Sequence, residues 1–183
     1  EQELTMYFMY LQIYRRSPEW PITLDALREQ LATKPFKPCG SQDHESRGWV
    51  PPFEGGELAH AVGADLLVCM QVEQRILPTA VVQREADKRA KRLEDEQGFK
   101  LGRKAMKELR EQITQELLPR AFTRIRKTFA WMNVGAGWLV VDAASEKKAE
   151  DVLELLRHTL HTFPIALLRT SGEGADECLM LRH

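Results

Sequence analysis

Long apolar runs are missing from this 183-residue chain. Its most apolar stretches, LLVCM at 66–70 and WLVV at 138–141, are strand-sized, far short of the roughly 20 residues that cross a bilayer as a helix. No N-terminal signal pattern is visible, and the chain is expected in the cytoplasm. Cysteine is scarce. Cys39, Cys69 and Cys178 are odd in number, far apart and never in a C-x-x-C pair, which excludes a disulfide frame and a structural zinc site of the usual spacing. Charge of one sign is also lacking, because 26 Lys and Arg nearly cancel 27 Asp and Glu. There is no P-loop, no Gly-x-Gly-x-x-Gly and no Gly-x-Ser-x-Gly elbow. The first residue is Glu, so the chain is expected to be a processed or trimmed part of a longer protein.

What is present alternates between strand and helix patterns. MYFMYLQIYRR reads as a first strand that breaks at Ser17-Pro18. Thr23 can cap a helix carrying Leu24, Leu27 and Leu31 at helical spacing before Pro35 ends it. A loop follows, then a short helical turn is expected around Glu57 to Val62 and a strand at Leu66 to Val72, closed by Leu77-Pro78. From Pro78 to Lys127 the chain is expected to be helical, with a turn at Gln97 to Gly102. Strand patterns return in AWMNVGAGWLVVDAA, where Gly135 and Gly137 suit a hairpin. Ser145 can cap a helix whose face is Ala149, Val152, Leu153, Leu156 and Leu160, and Phe163 to Leu168 reads as a last strand. The order implies an α+β fold, an antiparallel or mixed sheet with packed helices and a helical insertion.

The cations are unevenly placed. On a helical wheel Arg84, Lys88 and Lys91 share one face, opposite Val82, Ala86, Ala90 and Leu93. Arg103, Lys107 and Arg110 repeat the spacing beside Met106, Leu109, Ile113 and Leu117. After Pro119, Arg120, Arg124 and Lys127 do so again on an expected third helical segment, opposite Phe122, Ile125 and Phe129. These ridges are either ordinary solvated faces, balanced by acids such as Glu85 and Glu116, or a phosphate-neutralising surface. Cations one helical turn apart are about 5–6 Å from each other, near the spacing of backbone phosphates.

Enzyme readings are weaker. Cys39, Ser41 and His44 lie close in sequence, but proximity does not supply nucleophile, base and oxyanion geometry. A tight turn before a packed Trp49 and rigid Pro51-Pro52 is the simpler reading. Asp142, Glu146 and Lys148 are similar to the acid and lysine set of metal-dependent nucleases, yet Ser145 starts a helix, where Glu146 favours the positive end. His158 and His161 have no evident carboxylate partner for a shared metal. No metal, cofactor or catalytic residue is expected.

Four blocks in order, FKPCGSQDHESRGWVPP (36–52), RILP (75–78), LLPRAFTR (117–124) and VDAASEKKAEDVLELLR (141–157), resemble one family, the bacterial recombination-associated protein RdgC. Family members are longer, and the chain resembles their N-terminal part, with 171–183 a remnant of a C-terminal region. The resemblance implies a central α+β domain from 1–77 and 129–170, interrupted by a helical tip at 78–128. It implies a non-catalytic, sequence-independent binder of double-stranded DNA, nucleoid-associated, that acts as a ring-shaped homodimer and restrains RecA-promoted recombination. On that basis Arg75, Arg84, Lys88, Arg120, Arg124, Lys147 and Lys148 are expected to line a positive concave surface. Phe122 is expected to make a dimer contact, the alternative being a core Phe packed with Ile125 and Phe129. Family members also carry an exonuclease label, so a Mg²⁺-dependent exonuclease is the alternative activity, and an assembly fragment without its own DNA affinity is a third reading.

Overall fold

The computed structural model describes residues 10–16, 22–133, 135–160 and 165–167. Its elements are β1 (Leu11–Arg16), α1 (Leu24–Leu31), β2 (Glu45–Val50), β3 (Ala59–Val62), β4 (Asp65–Ile76), α2 (Thr79–Gln97) and α3 (Arg103–Leu117), then a 3-10 turn at Leu118–Arg120, β5 (Phe122–Asn133), β6 (Trp138–Asp142), α4 (Glu146–Thr159) and β7 (Ile165–Leu167). The strands form one sheet in the order β2-β4-β5-β6-β1-β7, with β3 paired to β4. This is an α+β fold, as the element order implied. Residues 6–9, the Ser17-Pro18 break, His161 and 171–183 lie outside the described residues.

The chain divides into two compact units. One comprises Glu1–Pro35, Trp49–Met70 and Thr128–His183, the other Phe36–Gly48 and Gln71–Lys127. In the first, Thr23 Oγ1 accepts the Ala26 amide at 3.3 Å, and the Leu27 and Leu31 side chains of α1 are fully buried. The run Leu66–Met70 of β4 is buried residue after residue, the pattern of a strand covered on both faces. β6 pairs antiparallel with β1, Ile13 opposite Val140, and with β5, Met132 opposite Leu139. α4 buries Ala149, Val152, Leu153 and Leu156, the face its 3.6-residue periodicity predicts. Ser145 occupies the N-cap without a side-chain capping bond; its carbonyl accepts the amides of Lys148 and Ala149. Trp49 is buried, and its indole N–H donates to Thr159 Oγ1 at 3.0 Å.

In the second unit α2 and α3 pack through Val82, Ala86, Ala90, Leu109 and Ile113, with Met106 and Leu117 alongside. The connection turns at Gly98, whose φ of +78° is the left-handed helix cap that favours glycine.

Two local expectations are overturned. Glu57 to Val62 is not a helical turn: Ala59–Val62 is a strand, paired residue by residue with Asp65–Val68 around the two-residue turn Gly63–Ala64. Gly63, at φ +63°, makes that hairpin turn accessible, and the paired backbone outweighs the weak local helix preference of Glu, Leu and Ala. Nor does a third helix follow Pro119. Beyond the single 3-10 turn, FTRIRKTFAWMN is a strand, in keeping with its β-branched and aromatic content.

Candidate nucleic-acid interface

The strand identity of β5 rearranges the expected ridge. Side chains alternate along a strand, so Phe122, Arg124 and Arg126 share one face while Thr123, Ile125 and Lys127 share the other. Arg124 and Phe122, opposed on a helical wheel, are neighbours here. Phe122 is 85% exposed, which excludes the core alternative for this side chain in the described chain. Sequence reasoning passed over Arg126, and the β-branched residues Thr123, Ile125 and Thr128 of a strand-forming run were the signal that could have placed it on the face of Phe122 and Arg124.

On α2, Arg84 and Lys88 are exposed one turn apart, and among the described residues neither they nor Arg124 form an ion pair. Elsewhere in the same unit cations are committed. Arg89 donates to both carboxylate oxygens of Glu116, at 3.0 and 2.7 Å, and lies 3.5 Å from Glu85, which clips α2 to α3. The Arg89 hydrogen bonds hold the Glu116 carboxyl below the usual carboxylate range, and Arg120 adds to this. Lys107 on α3 approaches Glu111 at 3.7 Å.

Arg75, expected on the phosphate-facing surface, is engaged by backbone carbonyls. Its Nη1 donates to the carbonyl of Leu118 at 3.1 Å, with those of Pro119 and Ala121 at 3.4 Å, and Nη2 donates to the Gly40 carbonyl at 3.1 Å. The 3-10 turn leaves carbonyls without helical partners, and a planar guanidinium satisfies several of them together. Lys147 and Lys148 are exposed on the first turn of α4, in the other compact unit.

The loop bearing Cys39, Ser41 and His44 is a folded turn. The Gly40 amide donates to Asp43 Oδ2 at 2.8 Å, and the Asp43 amide returns to the Gly40 carbonyl at 3.2 Å. A Cβ on Gly40 would meet Asp43 Oδ2 at 2.8 Å, so a larger residue there would displace the Asp43 side chain. The Cys39 amide donates to Glu73 Oε2 at 2.7 Å and its thiol to the Glu73 carbonyl at 3.3 Å. Burial, then the Glu73 carboxylate, push the thiol pKa up, the reverse of an activated nucleophile. Asp142 Oδ1 accepts the Tyr10 amide at 3.1 Å, while Glu146 and Lys148 lie on α4 and not on a strand. His158 lies 4.0 Å from Glu154 on the same helix.

Charge separates between the two units. The helical unit carries 17 Lys and Arg against 11 Asp and Glu, and the other unit 9 against 16.

A family model described as "Putative exonuclease, RdgC" matches residues 6–177. Among curated relatives, the recombination-associated protein RdgC of Dechloromonas aromatica (strain RCB) is 47% identical over 165 residues, covering 90% of this chain and 54% of that protein. The protein of that name from Herminiimonas arsenicoxydans is 44% identical over 163 residues, covering 89% and 54%. That of Janthinobacterium sp. (strain Marseille) is 40% identical over 166 residues, covering 91% and 55%. The chain thus spans about half the length of the curated relatives it matches.

Proposed function

Because the chain belongs to the RdgC family, we propose that it is a recombination-associated, sequence-independent binder of double-stranded DNA whose helical unit supplies the phosphate contacts. The observation that carries this reading is the charge separation, with Arg84, Lys88 and Arg124 exposed and unpaired among the described residues of the positive unit. Arg120 and Arg126 extend the positive segment; Lys147 and Lys148 would be secondary contacts from the other unit. Such cations act by releasing counterions from phosphates, which sets affinity and leaves base sequence unread. The protein acts as a homodimer in the nucleoid, and occupancy of the duplex restrains RecA-promoted recombination without an active site or a cofactor.

Fluorescence anisotropy of a labelled duplex tests the reading. Affinity is expected to fall steeply with salt, to be indifferent to Mg²⁺ and to sequence, and to leave recovered DNA intact. Mg²⁺-dependent shortening abolished by Asp142→Ala would establish the exonuclease instead, and no binding at low salt would reduce the chain to an assembly role.

Phe122 is the proposed dimer contact: it is a large aromatic side chain left 85% exposed, and a partner that covered it would remove its apolar surface from water. Phe122→Glu is expected to shift sedimentation from dimer to monomer while the far-UV circular dichroism is unchanged. A variant that sediments as the wild type does would remove Phe122 from the interface.

A further inference from the structure

Helix α2 starts at Thr79 with no side-chain cap and no acidic residue in its first turn. The amides of Thr79 and Ala80 therefore lack acceptors within the helix, and the positive end of a 19-residue helix is left uncompensated. A cavity of about 600 Å³ opens on that end, entirely within the helical unit, and His44, Arg75 and Arg110 line it along with Thr79 and Gln83. No carboxylate is in its lining. This is not a general feature of the helix pair, for a second cavity of about 390 Å³ between the same helices is lined by Glu108 and Glu111.

The two arginines of the lining have different freedoms. Arg75 is held by the carbonyls described above, so its charge is fixed in place, and its Nε is buried with no hydrogen-bond partner. Arg110 is exposed and forms no ion pair among the described residues. Leu77, Ala80 and Val82 supply an apolar wall. The volume lies in the range of small-molecule sites, and a bare phosphate would leave most of it to water.

We propose that this cavity binds a nucleotide-sized phosphomonoester, with the phosphate between Arg110, His44 and the α2 N-terminal amides and the organic body against Leu77, Ala80 and Val82. A monoester carries close to two negative charges at neutral pH, so it gains more from convergent cations than the singly charged diesters inside a duplex. A free nucleotide and the 5′-phosphorylated end of a DNA strand share this chemistry. The site is distinct from the exposed row of Arg84, Lys88 and Arg124 and stands independently of duplex binding.

The test is an amide-resolved NMR titration of the full chain with deoxyadenosine monophosphate and with inorganic phosphate. Saturable shifts at Thr79 and Ala80 are expected, with the nucleotide binding more tightly than phosphate. Arg110→Ala is expected to weaken it about tenfold or more, the loss of one charge-assisted hydrogen bond. Shifts that do not saturate, that spread over Arg84 and Lys88, or that are the same in Arg110→Ala would overturn the proposal. Displacement of the nucleotide by a 5′-phosphorylated duplex and not by its 5′-hydroxyl counterpart identifies the strand end as occupant. Displacement by neither identifies the free nucleotide, and equal displacement by both overturns a monoester site. A chain that binds nucleotide but no duplex sinks the duplex reading alone; one that binds duplex but gives no nucleotide shifts sinks the cavity alone.

Discussion

Replacing Arg120 and Arg124 together by alanine is expected to weaken duplex binding about 60-fold at about 0.1 M salt, and replacing them by glutamate to weaken it further. Each neutralised phosphate contributes about 0.9 to the slope of log affinity against log salt; carried from about 1 M to about 0.1 M, that is roughly eightfold per contact, and two contacts multiply. The slope itself should fall by about 1.8. The loss should be equal for duplexes of unrelated sequence, since neither side chain is asked to read a base edge. Anisotropy titrations over a salt series measure both quantities. An unchanged slope would show that these two arginines face no phosphate, whatever the change in affinity at a single salt concentration.

Arg75→Met should produce the largest stability effect. Methionine keeps much of the stem but removes every donor, leaving the carbonyls of Pro119 and Ala121 to find water or go unpaired, and those of Leu118 and Gly40 with the amides of Ala121 and Asp43 alone. Hydrogen bonds from a charged donor contribute about 1.5–3 kcal/mol each, and several here are partly exposed, so a loss of about 3 kcal/mol is expected. Arg75→Lys should recover only part of it, because a single ammonium cannot fork between two sides of the turn. Urea unfolding of the three proteins measures this. If Arg75→Met is as stable as the wild type, water serves those carbonyls and Arg75 returns to the set of phosphate-facing cations.

The contrast between these residues explains what could be read without coordinates. Arg75 and Arg124 are the same side chain in similarly mixed surroundings, and no local pattern separates them. Arg75 points at carbonyls contributed by residues 35 and 43–46 positions away, a proximity that exists only once β4, the loop before β2 and the 3-10 turn have come together. Cys39 is a similar case. Its neighbours Ser41 and His44 suggested reactivity, whereas its environment is set by Glu73, 34 residues on.

The helices, by contrast, were legible because their determinants are local. Leu27 and Leu31, the Val82-Ala86-Ala90 stripe, Leu109 with Ile113, and the Ala149-to-Leu156 face are all spaced by the 3.6-residue period and all buried. Gly98 ended α2 where only glycine adopts the required backbone angles readily. The hairpin after β5 likewise turned at Gly137, φ +74°.

By itself, then, the sequence determined the four helices and their buried faces, the α+β class, the concentration of cations in residues 84–127 and the membership of the RdgC family. Only the tertiary structure decided that residues 59–62 and 122–133 are strands, that Phe122 and Arg124 share a face, and that Arg75 donates to the carbonyls of the 3-10 turn and of Gly40. The physical reason is range. Helix hydrogen bonds close within four residues and leave a periodic trace in the chain, while strand pairing and the direction of a guanidinium depend on partners that sequence distance does not reveal.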